Sequence, residues 1–260
     1  MASQCLVTTG FEDECREIHD ACNQPSRLSL LLARRSSSDR QQIKATYHAM
    51  FGEDLAGELH KTLMTNQEDE NSCKFLPHHE LPFQLCKLLY LWMLDPAERD
   101  AIMARDAVES RGATDYRVLV EIFTRRKQNQ LFFTKQAYLA RFKRNLEQDM
   151  VTEPSHPYQK ALKKNGFSEF EQSLRIVVKC IYSPSMYFSK LLHRSLQCSA
   201  NNKRLVTRAI LGSDDVDMDK IKSVFKSSCG KELKDFIQES LPESDYRDFL
   251  VSVAKGSMAS

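Results

Sequence analysis

Leu205–Ile237 reads LVTRAILGSDDVDMDKIKSVFKSSCGKELKDFI, and Leu28–Leu59 reads LSLLLARRSSSDRQQIKATYHAMFGEDLAGEL. A third stretch, Leu119–Met150, reads LVEIFTRRKQNQLFFTKQAYLARFKRNLEQDM. In the second of these, Tyr47 is followed by Phe51 and Leu55. Tyr138, Phe142 and Leu146 repeat that trio 91 positions later, and Phe225, Cys229 and Leu233 repeat it after a further 87. Residues four apart share one face of a helix, so each trio predicts an apolar stripe turned toward a core.

A second pattern recurs beside the first. Asp95 and Pro96 follow the apolar run LCKLLYLWML, and Ser183 and Pro184 follow LRIVVKCIY, at an offset of 88. Asp or Ser at an N-cap with Pro in the first turn starts a new helix. Each repeat therefore reads as three helices, a connector and two more helices. Self-similar units of this length bury their apolar faces against one another, which predicts an all-α array. The connectors, 64–81 and 150–167, are polar and contain proline, as solvent loops do.

The bulk composition agrees. Only 8 Gly and 8 Pro punctuate 260 residues, too few for the many tight turns of an all-β fold. The net charge of +2 supplies no global field for nucleic acid, so no nucleic-acid partner is expected and any electrostatic binding must come from local patches. No apolar run approaches the ~20 residues that cross a bilayer. The first residues lack a basic region followed by an apolar one, so the expectation is an intracellular protein with reduced thiols. Cys86, Cys180 and Cys229 fall in apolar helical patterns and read as core, while Cys5, Cys15 and Cys22 crowd the N-terminal region.

The strings LLARRSSSDRQQIKATYHAMFGEDL, LLYLWMLDPAERDA, KQAYLARFKRNLEQD, VVKCIYSPSMYFSKLL and LVTRAILGSDDVDMDKIK together resemble the annexin family in its plant type, over nearly the whole chain. The resemblance implies an array of five-helix, right-handed superhelical repeats whose convex face holds calcium, which bridges to acidic phospholipid. The family has four repeats, and this chain matches about three. Residues 1–108 resemble a first repeat with loop 64–81 inserted. Residues 109–198 resemble the start of a second repeat fused to the end of a third, and 199–260 a final repeat. The join lies within HPYQKALKKNGF.

Calcium takes six to eight oxygens at flexible geometry. The family supplies carbonyls from a Gly-x-Gly-Thr loop and a carboxylate about 39 residues later. At that place the first repeat has NQPSR, without glycine, and its carboxylate position is displaced by Thr62 and the insertion. The last repeat has Ala200-Asn201-Asn202-Lys203, with Glu239 beyond. The middle repeat keeps Gly112 and Thr114, with Glu153 standing 39 residues after Thr114. Gly112, Thr114 and Glu153 are therefore the candidate calcium ligands, against the alternative that Thr114 caps the helix beginning DYRVLVEIF. The expectation is calcium dependence that is weakened, with the sites largely eroded.

A second candidate is basic. Arg125, Arg126, Lys127, Arg141, Lys143 and Arg144 cluster in the middle repeat, with Lys160, Lys163 and Lys164 downstream. Each cation near an anionic surface contributes about 1 kcal/mol, so the cluster permits attraction to acidic lipid without calcium; the alternative is an ordinary helix surface. No enzyme is expected, because no P-loop, GxSxG or HExxH occurs. Arg34 stands where plant annexins often carry a histidine proposed as a haem ligand, so no haem site is expected. Cys73, His78 and His79 lack a second ligand pair, the acidic run QEDEN at 67–71 reads as a solvated loop, and Trp92 reads as core. The function expected is a cytoplasmic protein bound peripherally to anionic membranes. The alternative is a helical scaffold for protein partners or self-association, without lipid.

Overall fold

In a computed structural model the structure describes residues 9–22, 24–61, 83–109, 115–152, 176–197, 203–213 and 215–256, and all regular secondary structure among them is helical. The helices are α1 (Thr9–Ala21), α2 (Pro25–Ala33), α3 (Ser37–Phe51), α4 (55–61), α5 (Phe83–Met93), α6 (Pro96–Val108), α7 (Tyr116–Arg125), α8 (Gln128–Phe142), α9 (Leu146–Thr152) and α10 (176–182). They continue as α11 (Pro184–Gln197), α12 (Lys203–Leu211), α13 (Asp215–Cys229), α14 (Leu233–Ser240) and α15 (Asp245–Lys255). The all-helical array expected from the sequence repeat is what the chain forms.

The three trios each bury their anchors. Tyr47, Tyr138 and Phe225 are at most 1% exposed, as are Leu55, Leu146 and Leu233. They do not lie along one continuous helix, however. Each aromatic helix stops one residue after the middle member, at Gly52, Lys143 and Gly230, whose φ angles of 72°, 55° and 71° are left-handed. A left-handed residue closes a helix by returning its N–H to a carbonyl of the last turn, here His48, Leu139 and Lys226. The chain then reverses, and the third trio member opens the next helix. The apolar period holds and the continuity does not, because a four-residue spacing passes unchanged through a reversal of this length.

The helix starts follow their caps. Ser36 accepts from the N–H of Asp39 while Asp39 accepts from the N–H of Ser36, a reciprocal pair that begins α3. At the matching place before α8, the Lys127 side chain offers no acceptor, so only the return bond remains, from its N–H to Gln130 Oε1. Asp95 caps α6 through the N–H of Ala97, with Pro96 in the first turn as the sequence predicts.

The chain divides into two compact units, Met1–Leu94 with Ser189–Ser260, and Asp95–Phe188. In the first unit α1 packs on α2 and α3, α15 on α2, α5 and α14, and α5 on α3 and α12. Trp92 sits inside, as read from the sequence, with its indole N–H donating to Leu32 O at 2.9 Å. The Arg40 guanidinium lies 3.8 Å over its ring, and Phe249 meets it edge-on at 5.6 Å. In the second unit α6 packs on α7, α8 and α9. Its inner face carries Ala101, Ala104 and Ala107, which are fully buried, and Tyr138 of α8 joins the same core. The sequence reading groups α6 with the helices before it; its packing is with the helices after it.

Candidate functional site

The corner between α1 and α2 is where the first repeat would present carbonyls to an ion. The chain turns there within a few residues. Cys22 N–H donates to His19 O at 3.2 Å, Gln24 N–H to Ala21 O at 2.8 Å, and Pro25 opens α2. Two N–H groups of the corner are thus engaged by carbonyls of the last turn of α1. In the last repeat Lys203 O accepts from the Tyr246 hydroxyl at 2.9 Å, and that hydroxyl also meets Thr207 Oγ1 at 2.8 Å. Glu239 is paired with Lys231 at 2.6 Å.

Gly112, Thr114 and Glu153 all lie outside the described residues, as do Cys73, His78, His79, the run 67–71 and Lys160, Lys163 and Lys164. Their borders are described. Glu109 ends α6 with its N–H on Arg105 O, and Asp115 N–H donates to Ala107 O at 2.9 Å, so both ends of 110–114 are tied to the last turn of α6. Asp115 gives α7 no side-chain cap. Among the described residues no group of three or more His, Cys, Asp or Glu side chains is placed to hold a metal.

The six basic residues divide. Arg126 is turned inward onto Asp100, through Nε at 2.5 Å and Nη2 at 3.1 Å, and Asp100 is 2% exposed. The Arg125 guanidinium lies 4.2 Å over the ring of Phe188. Lys127 is exposed at the start of α8, and Arg141, Lys143 and Arg144 are exposed at its end. A helix rises 1.5 Å per residue, so these two cationic ends stand about 24 Å apart. The sequence places six cations together; the structure makes them an internal pair and the two ends of one rod.

Arg144 leads to a node that sequence reading missed. Asp149, 5% exposed, accepts from Tyr138 Oη at 2.7 Å, Arg105 Nη1 at 2.9 Å and Arg144 Nε at 2.7 Å. Arg105 also pairs with Glu109. Burial opposes the charge on Asp149, yet the Tyr138 hydroxyl and the two guanidinium groups hold its carboxyl below the usual range. Burial pushes the Tyr138 phenol up to about 12, so it remains a donor. Nothing in the spacing of three residues 33 and 11 positions apart marks them as one network.

Cys5 lies outside the described residues, and none of the described thiols is exposed. Cys15 is fully buried and its pKa is pushed up to about 11, chiefly by burial. Cys86 and Cys180 are buried as expected, whereas Cys229 is only half-buried because it is the last residue of α13 before the reversal.

Comparison with known proteins joins these observations. The annexin family model matches residues 99–164, which take in most of α6 and all of α7–α9. Annexin D2 of Arabidopsis thaliana is 24% identical, over 93% of this chain and 94% of that protein. Their alignment runs to 319 positions, longer than the 260-residue chain, so it must open gaps in it. In sequence and in fold the chain is similar to the annexins. A match to Annexin Gh1 of Gossypium hirsutum is 36% identical over 132 residues, which is 51% of this chain and only 36% of that protein. The fold agrees with a solved structure titled calcium-bound annexin (Sm)1, at a TM-score of 0.72 and 17% identity over 97% of this chain and 92% of that one. The sequence relatives named here are plant annexins. Among the described residues no helix is long and apolar enough to cross a membrane.

Proposed function

We propose that this annexin-like chain is a cytoplasmic, peripheral membrane protein that attaches to anionic phospholipid with little help from calcium. The α1–α2 corner carries the reading. A calcium loop needs carbonyls turned toward the ion, and glycine is the residue that lets a backbone do so. This corner has no glycine, and its N–H groups, those of Cys22 and Gln24, turn back onto the last carbonyls of α1, His19 O and Ala21 O. Gly112, Thr114 and Glu153 are the remaining candidate ligands in this chain. Calcium held there takes lipid phosphate at its open positions. Lys127, Arg141, Lys143 and Arg144 supply attraction that needs no metal. No catalytic role is proposed for any residue.

The test is sedimentation with phosphatidylserine vesicles in millimolar calcium and then in chelator. Pelleting that survives chelator and falls steeply with salt is the expected result. Pelleting only with calcium, abolished by Glu153→Gln, returns the protein to the calcium-bridged mode. No pelleting in either condition removes the membrane reading and leaves the protein-binding scaffold.

A further inference from the structure

A cleft of about 280 Å³ opens between α13, the start of α14 and the end of α15. Its walls carry Lys222 and Lys226 from α13, Lys234 from α14 and Lys255 from α15, against one acid, Glu232. The Lys222 ammonium lies against the end of α15, 3.4 Å from the place a Cβ would take on Gly256. Lys222 pairs with Asp219 at 2.7 Å and Lys226 with Glu232 at 2.6 Å, and the two acids are 76% and 41% exposed. Such surface pairs are weak and screened by salt. Lys234 and Lys255 pair with no acid among the described residues.

The repeats themselves provide the control. Position 222 is lysine in all three copies, as Lys44, Lys135 and Lys222. In the first two copies it meets an acid beyond the reversal: Lys44 pairs with Asp54 at 4.0 Å, and Lys135 with Glu147 at 2.5 Å. Glu147 corresponds to Lys234, 87 positions later, so the last copy has a second lysine where the middle copy has the partner acid. Lys226 stands where the other copies have His48 and Leu139. The junction folds with one lysine beside one acid, so packing does not account for three lysines beside one. Like charges held together cost stability unless counter-ions fill the space between them.

We infer that this cleft binds a compact, soluble anion carrying several phosphate groups. A cleft walled by one sign of charge concentrates counter-ions, and lysine meets phosphate as a point charge. Its volume is close to the ~300 Å³ at which small-molecule sites begin, which suits a few linked phosphates. The apolar wall residues, Leu233 and Ala254, are themselves buried, so no open apolar face is left to hold a nucleoside base. The ligand arrives from solution. An adjoining hollow shares Lys222 and Lys255 with the cleft and is lined by Ile210 and Ser213. Those two residues stand at the far end of α12 from Lys203, the corner at which the last repeat would face lipid. The inference goes beyond the membrane reading and does not depend on it.

The experiment is calorimetric titration of the full chain with inorganic triphosphate, with orthophosphate and ATP as comparison ligands. Triphosphate should bind about tenfold more tightly than orthophosphate, and ATP no more tightly than triphosphate. Lys234→Glu gives the last copy the acid of the middle one and should weaken triphosphate binding about tenfold or more, with matching thermal midpoints as the check on folding. Lys255→Ala, at the exposed last residue of α15, is the second variant, with an expected loss of about threefold. Lys220→Glu, exposed on α13 but outside the cleft, makes the same change in net charge as Lys234→Glu and should bind as the parent does. Equal losses in Lys234→Glu and Lys220→Glu overturn the inference, since the whole surface and not the cleft would then be responsible. Absence of triphosphate binding by the parent overturns it as well. Tighter binding of ATP assigns the cleft to a nucleotide, and binding of polyglutamate in place of triphosphate assigns it to an acidic protein; each overturns the ligand named here. Sedimentation with phosphatidylserine vesicles should be the same for parent and Lys234→Glu, and a loss in the variant turns the cleft toward lipid and overturns the soluble ligand. The calorimetry contains no lipid, so its failure and the failure of the membrane reading are separate results.

Discussion

Where α6, α8 and α9 meet, Arg105, Tyr138 and Asp149 form a charged, largely buried network; where α11, α13 and α14 meet, His193, Phe225 and Phe236 occupy the same repeat positions and form a cluster of rings. The ring centroids there are 5.1 to 6.0 Å apart. The first repeat is intermediate, with His19 Nδ1 2.9 Å from the Tyr47 hydroxyl and its ring stacked on Phe51 at 4.2 Å. One backbone junction thus accepts ion pair, hydrogen bond or aromatic contact. What the repeat fixes is a large flat side chain on the middle helix; the chemistry around it is free to change. The outside of that helix shows the same freedom, polar in α3 and α13 and aromatic in α8, where Phe132 and Phe133 are exposed.

The largest expected effect comes from breaking the charged junction. Asp149→Asn removes a buried anion that faces two guanidinium groups and should cost about 3 kcal/mol, toward the low end of measured losses for one partner of a buried pair. Urea unfolding of parent and variant measures it. The pH dependence follows from the sign of the shift. The folded carboxyl has a lowered pKa, so its stabilising contribution is complete above the unfolded value near 3.9 and is lost as pH falls through the folded one. The gap between parent and variant should therefore close in acid. A gap that persists unchanged below that range would mean the junction is held by packing, like its aromatic counterpart.

The helix ends offer a smaller and opposite effect. Gly52 and Gly230 take positive φ without cost, but Lys143 takes it with a side chain. A left-handed non-glycine residue costs about 1 kcal/mol, so Lys143→Gly should raise stability by roughly that amount. No neighbour lies within 4 Å of a Cβ built at Gly52 or Gly230, so the penalty at these reversals is backbone strain and not crowding. A thermal midpoint that fails to rise would separate α8 from its two repeats. Lysine at this costly place is also one of the cations proposed to meet lipid.

Much of the fold is legible in the sequence. The offsets of 91, 87 and 88 residues predict matching helices, and Asp95-Pro96 and Ser183-Pro184 mark helix starts, because apolar period and cap chemistry are local. The reversals at Gly52, Lys143 and Gly230 are hidden inside a spacing that continues across them. The inward turn of Arg126 is hidden for a different reason: Asp100 is 26 positions away, and only packing brings the two together. Asp149 escapes notice because, beside Glu147 in the first turn of a short helix, it resembles an ordinary surface charge. Local chemistry is written in neighbouring residues; the partner of a buried charge is not.

The smallest test compares two cations at matching places just after the reversals. Arg144 pairs with Asp149 at 2.7 Å, and Lys231 pairs with Glu239 at 2.6 Å. Distance alone would make them equivalent. Their acids are not, since Asp149 is 5% exposed while Glu239 is 58% exposed. A pair between exposed groups contributes between 0 and about 1 kcal/mol and is screened by salt. Arg144→Ala should cost about 0.5 kcal/mol, because Arg105 and Tyr138 still hold Asp149. Lys231→Ala should fall within about 0.2 kcal/mol of the parent. Equal losses at low and high salt would show that the burial of the acid does not decide the strength of these pairs, and the contrast between the charged and aromatic junctions would then need another cause.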